Sequence, residues 1–189
     1  LKQKRGTKVV LKVPRRGHKR ELVRMAAENA AQTLMSLRAQ WQADQHKQEQ
    51  AMAQLQEALD LPVSPARIEC YDISTTQGTA TVGSMVVFVH GVPRKRDYRR
   101  FNVRSVSEKP DDYASMREVL TRRFNRWQAA QKGELGRDDP GAKARKDAAW
   151  ALLPDLLLVD GGKGQLGVAV ELLKSFDLFG QVPVAGLAK

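Results

Sequence analysis

Two aspartates stand where acids are costly. Asp72 lies in Ile68-Glu69-Cys70-Tyr71-Asp72-Ile73-Ser74, and Asp160 ends Asp155-Leu156-Leu157-Leu158-Val159-Asp160, the most apolar run in the chain. An ionised carboxylate flanked by apolar strand residues is expensive unless it meets a cation or several hydrogen-bond donors. Two such acids on neighbouring strands would repel, and one would tend to keep its proton. A divalent cation removes both objections, because hard carboxylate oxygens are the ligands that Mg²⁺ and Mn²⁺ prefer. Asp112 or Asp111, at a helix start, is the source for a third ligand. The competing reading is structural: an Asp at a strand end caps a turn, and Asp160 before two glycines suits that role too.

Asp160-Gly161-Gly162-Lys163-Gly164 offers a second chemistry. Glycines between a strand and a helix N-terminus expose backbone N–H groups, and Lys163 adds a point charge, a combination suited to phosphate. It is not a P-loop, because the spacing before Gly-Lys is wrong and no Ser or Thr follows the lysine. A nucleotide triphosphatase is therefore weakly supported.

The elements that position these residues follow from periodicity. Arg67 to Ile73, Thr79 to Val89 and Tyr98 to Val103 read as an antiparallel meander, with Gly78 and Gly91-Val92-Pro93 as turns. Alternation places Ile68, Cys70 and Asp72 on one face and Glu69, Tyr71 and Ile73 on the other. Cys70 then reads as a small buried hydrophobe. Asp111-Asp112 opens a helix from Tyr113 to Trp127, the polar Gln128 to Ala148 stretch reads as a surface loop, and Asp155 to Asp160 is a buried central strand. Gln165 to Phe176 is helical, and Val182 to Leu187 is another strand. The order β-β-β-α-β-α-β predicts a mixed α/β (α+β) sheet covered by helices.

Ahead of this lie a basic arm and a long helix. The first twenty residues hold nine Lys or Arg and no acid, and include a short strand at Lys8 to Val13 and a turn at Pro14-Arg15-Arg16-Gly17. Apolar residues then recur at helical spacing from Lys19 to about Leu59, with a break expected near Asp44 if the helix is divided. Pro62 and Pro65 end it. The expected division is residues 1–62 as arm and connecting helix and residues 66–189 as the folded domain.

Composition bounds the partners. The 189 residues carry 32 Lys+Arg against 21 Asp+Glu, a net charge of +11, which favours a polyanion. No run is long and apolar enough to cross a bilayer and no signal pattern opens the chain, so a membrane is not expected as a partner. A single cysteine excludes an internal disulfide and suits a cytoplasmic protein.

At the acid-bearing segments the chain resembles the C-terminal nuclease domain of UvrC, the bacterial excision-repair endonuclease subunit. The resemblance rests on Ile-Glu-Cys-Tyr-Asp-Ile-Ser (68–74), Gln-Gly-Thr (77–79), Tyr-Arg-Arg-Phe-Asn (98–102), Asp-Asp-Tyr-Ala-Ser-Met (111–116) and Arg-Arg-Phe (122–124). Leu-Leu-Leu-Val-Asp-Gly-Gly-Lys-Gly-Gln-Leu (156–166) and Gly-Leu-Ala-Lys (186–189) complete it in the same order. The resemblance implies an RNase H-like fold that cuts damaged double-stranded DNA on the 5′ side of a lesion. It assigns Asp72 and Asp160 to Mg²⁺ or Mn²⁺ and a further catalytic acid to Asp112, with Asp111 as neighbour. Metal in such a site polarises the scissile phosphate and lowers the pKa of an attacking water. The implied partners are UvrB, through a paired helix outside this chain, and UvrA indirectly.

Lys163, Arg99, Arg100, Arg122, Arg123, Arg15 and Arg16 are the expected phosphate contacts, by charge and position. UvrC-like proteins also place a catalytic histidine downstream of Gly-Leu-Ala-Lys, where this chain stops; His18, His46 and His90 do not match it and read as ordinary polar residues. The nuclease domain is therefore expected to be truncated at its C-terminus and weak or inactive alone. The alternative is a non-catalytic DNA-binding or scaffolding module whose acids are structural.

Overall fold

The computed structural model describes residues 13–76, 80–104, 111–134 and 149–188. The expected strand at Lys8 to Val13, the Gly78 turn and most of the loop after the second helix fall outside them. The chain divides into two compact units, Leu1–Lys47 and Gln48–Lys189. Helix α1, His18–Ala58, is continuous through Asp44, so the break anticipated there does not occur. The absence of Gly and Pro between Lys19 and Leu61 is the physical reason. None of its residues is buried; Leu22, Leu34 and Trp41 are exposed although they lie on its apolar stripe.

The second unit is built on one mixed sheet. Its strands are β1 (Arg67–Thr76), β2 (Ala80–Val89), β3 (Val92–Pro93), β4 (Arg99–Asn102), β5 (Leu156–Asp160) and β6 (Val184–Leu187). The order is β3-β2-β1-β5-β6, with β4 also pairing with β2. The meander β1-β2-β4 is antiparallel, while β1-β5 and β5-β6 are parallel. A parallel neighbour needs a crossover, and the helices α2 (Asp112–Gln131) and α3 (Lys163–Ser175) serve those connections.

Both helices contribute to one core. Tyr71, Val87, Leu157 and Val159 of the sheet meet Met116, Leu120 and Phe124 of α2 and Ala169 and Leu173 of α3. Alternation assigns the other sheet face to Cys70, Asp72, Leu158 and Asp160, all half-exposed. Cys70 is thus not the buried hydrophobe expected of it, because its face carries the acids while the helices pack on the opposite one.

An ionic cluster sits inside the core. Glu69 and Arg123 are fully buried and joined by Arg123 Nη2 to Glu69 Oε1 at 2.9 Å and Nε to Oε2 at 3.0 Å. Arg67 Nη2 and the Tyr71 hydroxyl also donate to Glu69, at 2.9 and 2.7 Å. Arg123 donates to the carbonyls of Trp150 and Leu152, which fixes the approach of the chain to β5. Burial alone would raise the Glu69 carboxyl, but Arg123 and Arg67 outweigh it and hold its pKa below the usual carboxylate range.

Candidate metal centre and nucleic-acid surface

The register aligns the two aspartates. Parallel β1 and β5 pair through Cys70 with Leu158 and Tyr71 with Val159, and the next residue on each strand is Asp72 and Asp160. Side chains at one level of adjacent strands share a face, with strand axes about 5 Å apart. Cys70, two residues back on that face, reports both charges. Its thiol pKa is pushed up first by burial and then by Asp160 and Asp72. The Ser74 hydroxyl donates to Asp72 Oδ2 at 2.7 Å and orients that carboxylate.

Two carboxylates at one level of one sheet face are oxygen donors of the kind hard divalent cations take, with water completing the shell. The residues present therefore fit Mg²⁺ or Mn²⁺. Among the described residues no group of three or more His, Cys, Asp or Glu is placed to hold a metal ion. Asp111 and Asp112 differ in kind. Asp111 is the N-cap of α2, and its Oδ1 accepts from the Tyr113 and Ala114 backbone N–H groups at 3.0 and 2.9 Å. Asp112 is the first helical residue and exposed. The capping role explains Asp111 without any metal.

The Asp-Asp-Tyr segment nevertheless touches the glycine loop. Tyr113 lies so close to Gly164 that a Cβ there would stand 2.6 Å from its Oη. Gly161 is likewise covered by Gln165, and its carbonyl lies 3.0 Å from where a Gly186 Cβ would be. Arg117 of α2 pairs with Glu171 of α3 at 2.6 Å. Gly162 caps α3 without a side-chain bond, and Lys163 is its exposed first residue.

The expected phosphate contacts separate into three kinds. Arg123 is excluded by its burial and its bonds to Glu69, which corrects its sequence-based assignment. The Arg122-Arg123 doublet hides this distinction, since neighbouring helix positions point about 100° apart. Arg99 and Arg122 are half-exposed and anchored: Arg99 donates to the Arg96 and Tyr98 carbonyls, and Arg122 to the Asn102 carbonyl and Glu118. Arg100 is exposed, as are Arg15 and Arg16 in the first unit. His18 and His46 lie on α1, and His90 occupies a left-handed turn at φ 50°. Arg126 and Trp150, which the sequence reading passed over, join Arg99 at one cleft.

The chain matches the family model described as "UvrC RNAse H endonuclease domain" over residues 56–189, and "UvrC Ribonuclease H-like domain" over residues 1–37. It is 45% identical to UvrABC system protein C of Parafrankia sp. (strain EAN1pec), over 100% of this chain and 29% of that protein. It is 48% identical to UvrABC system protein C of Desulforudis audaxviator, over 98% of this chain and 29% of that protein. The chain thus spans about three tenths of these relatives. Ciona intestinalis Endonuclease V, solved with an inosine-containing 24mer DNA, is 15% identical with a TM-score of 0.42, over 82% of this chain and 58% of that one.

Proposed function

The chain belongs to the UvrC RNase H endonuclease domain family, and on that premise we propose that it carries the metal-binding half of a DNA phosphodiester hydrolase. The observation that carries the reading is the alignment of Asp72 and Asp160 one step beyond the Tyr71–Val159 pair. In the longer protein the domain makes the 5′ incision in damaged double-stranded DNA, in the cytoplasm, with UvrB as partner and UvrA acting indirectly.

Each residue has a role that its position supports. Asp72 and Asp160 hold Mg²⁺ or Mn²⁺, and Ser74 fixes the rotamer of Asp72 through its 2.7 Å bond. When bound, the metal supplies Lewis-acid polarisation of the phosphate and a more acidic water. Lys163 meets a phosphate oxygen at the N-terminus of α3, where the helix dipole and backbone N–H groups also favour an anion. Asp112 lies on the helix that Tyr113 packs against the glycine loop, which makes it the third acid in preference to the cap Asp111.

The alternative, a non-catalytic DNA-binding module, keeps the arginine surface and treats the acids as structural. It draws on the lack of a third metal donor beside the pair among the described residues. A plasmid-nicking assay with Mn²⁺ separates the two. Weak nicking by the chain that disappears in Asp72→Ala and Asp160→Ala supports the hydrolase. Nicking that persists in both variants overturns the assignment of these acids.

A further inference from the structure

Resting on the hydrolase reading, we propose that Tyr113 is a stacking platform for an unpaired nucleobase, beside the phosphate contact assigned to Lys163. Tyr113 is the second helical residue of α2, and its ring lies against Gly164, the residue after Lys163 in α3. A Cβ on Gly164 would stand 2.5 Å from the Tyr113 Cε1 and 2.7 Å from its Cζ, so the ring has its place only because Gly164 has no side chain.

That contact costs the fold more than it returns. Glycine loses more backbone freedom in a helix than alanine, and α3 takes this loss where Tyr113 needs room. Tyr113 nonetheless stays 56% exposed, so little of its ring is withdrawn from water. Among the described residues its hydroxyl has no hydrogen-bond partner; only its backbone N–H is held, by Asp111. Packing therefore does not account for the ring, whereas an open π-face beside an anion contact suits a nucleotide. The other large exposed aromatics among the described residues lack this combination. Trp41 lies on α1 in the first unit, and Phe179 already has Lys174 over its ring at 4.9 Å.

Chain connectivity bounds the distance to the acids. Gly164 is four residues after Asp160, so their Cα atoms are at most about 14 Å apart even at full extension. At a rise of about 3.4 Å per nucleotide, a base on Tyr113 lies within about four nucleotides of the bond attacked. A nucleotide carries base and phosphate on one sugar, so a phosphate at Lys163 brings a base within reach of the ring. Inside a duplex that base stacks on its neighbours and shows only its edges, so Tyr113 meets a π-face only when the base has left its pair. Freeing a base costs least where a lesion or mismatch has already disturbed pairing. Every base has a π-face, which makes the grip indifferent to sequence.

The test is DNA binding in EDTA, read by anisotropy on two probes across a salt series. One probe is a fully paired duplex, and the other is the same duplex with a run of unpaired nucleotides at its centre. Tyr113→Leu keeps apolar bulk against Gly164 but has no π-face. It should weaken binding to the unpaired probe about tenfold, leave the paired probe unchanged, and leave the slope of log K against log salt unaltered, since no phosphate contact is lost. Tyr113→Phe should bind both probes as the unsubstituted chain does. The side chain is exposed, and unchanged melting curves check the fold. Undiminished binding of Tyr113→Leu to the unpaired probe, an equal loss on both probes, or a Tyr113→Phe that behaves like Tyr113→Leu overturns the platform. Because no metal is present, the hydrolase reading fails separately, through unaltered nicking in Asp72→Ala.

Discussion

Asp72 and Asp160 stand at the same level of two adjacent parallel strands, one step beyond the Tyr71–Val159 pair, and face the same side of the sheet. Two like charges so placed destabilise the fold until something positive separates them. Asp72→Asn and Asp160→Asn should each raise Tm in EDTA. The unsubstituted chain should gain Tm on adding Mn²⁺, by about 2.7 kcal/mol of stabilisation at 100 times the Kd. Either substitution should remove most of that gain. A Mn²⁺ response that survives both places the ion elsewhere.

Cys70 offers a readout of the same acids that needs no metal. Its thiol is raised by burial and then by Asp160 and Asp72, so at mildly alkaline pH it is less ionised than an ordinary cysteine. Thiolate is the reactive form. Alkylation by iodoacetamide in EDTA should therefore be slow, and faster in Asp72→Asn and Asp160→Asn. Burial stays in both variants, so the gain should be partial. Equal rates in all three proteins would separate Cys70 from the acids.

The buried Glu69–Arg123 pair predicts a stability loss and its direction with pH. Glu69→Gln should cost about 3–5 kcal/mol at neutral pH, because Arg123 would be left buried without its charge partner. The Glu69 pKa is lowered in the fold, so its contribution is complete above the ordinary carboxylate value of about 4.3 and is lost as pH falls through the lower folded value. Acid melts should show the unsubstituted chain losing stability in that window and Glu69→Gln losing less. Parallel pH profiles would remove Glu69 as the cause.

How far the chain is legible without coordinates depends on the kind of information needed. The succession of strands and helices and the face of Asp72 on its own strand follow from alternation and apolar runs, which are local, whereas the level of Asp160 beside it comes from the non-local pairing of β1 with β5. Glu69 is different. Within Ile68-Glu69-Cys70 it looks like one more polar strand residue, and only the non-local arrival of Arg123, 54 positions later, makes it a core residue. Arg123 is misread for the same reason, since a basic doublet reports charge and not direction. Asp111 and Asp112 are adjacent in sequence, yet the capping bonds to Tyr113 and Ala114 separate them. Trp150 follows a stretch without periodicity, so nothing local announces that three arginines will stack around it.

Two glycines with similar crowding should respond in opposite ways, and the contrast tests whether α2 packs on the Asp160 loop. A Cβ on Gly83 would strike Val119 Cγ2, and Val119 is fully buried between strand and helix. With no room to yield, Gly83→Ala should cost about 1–3 kcal/mol. A Cβ on Gly164 would meet Tyr113, which is 56% exposed and able to swing into solvent. Alanine in a helix gains about 0.5–1 kcal/mol over glycine, so the displaced ring should roughly cancel that benefit. In a Tyr113→Ala background Gly164→Ala should show the full gain, and the difference is the coupling between the two residues. Coupling of about 0.5 kcal/mol or more holds the Asp112 end of α2 against the loop that follows Asp160. Additive effects would detach that end from the loop and leave Asp112 without a route to the carboxylate pair.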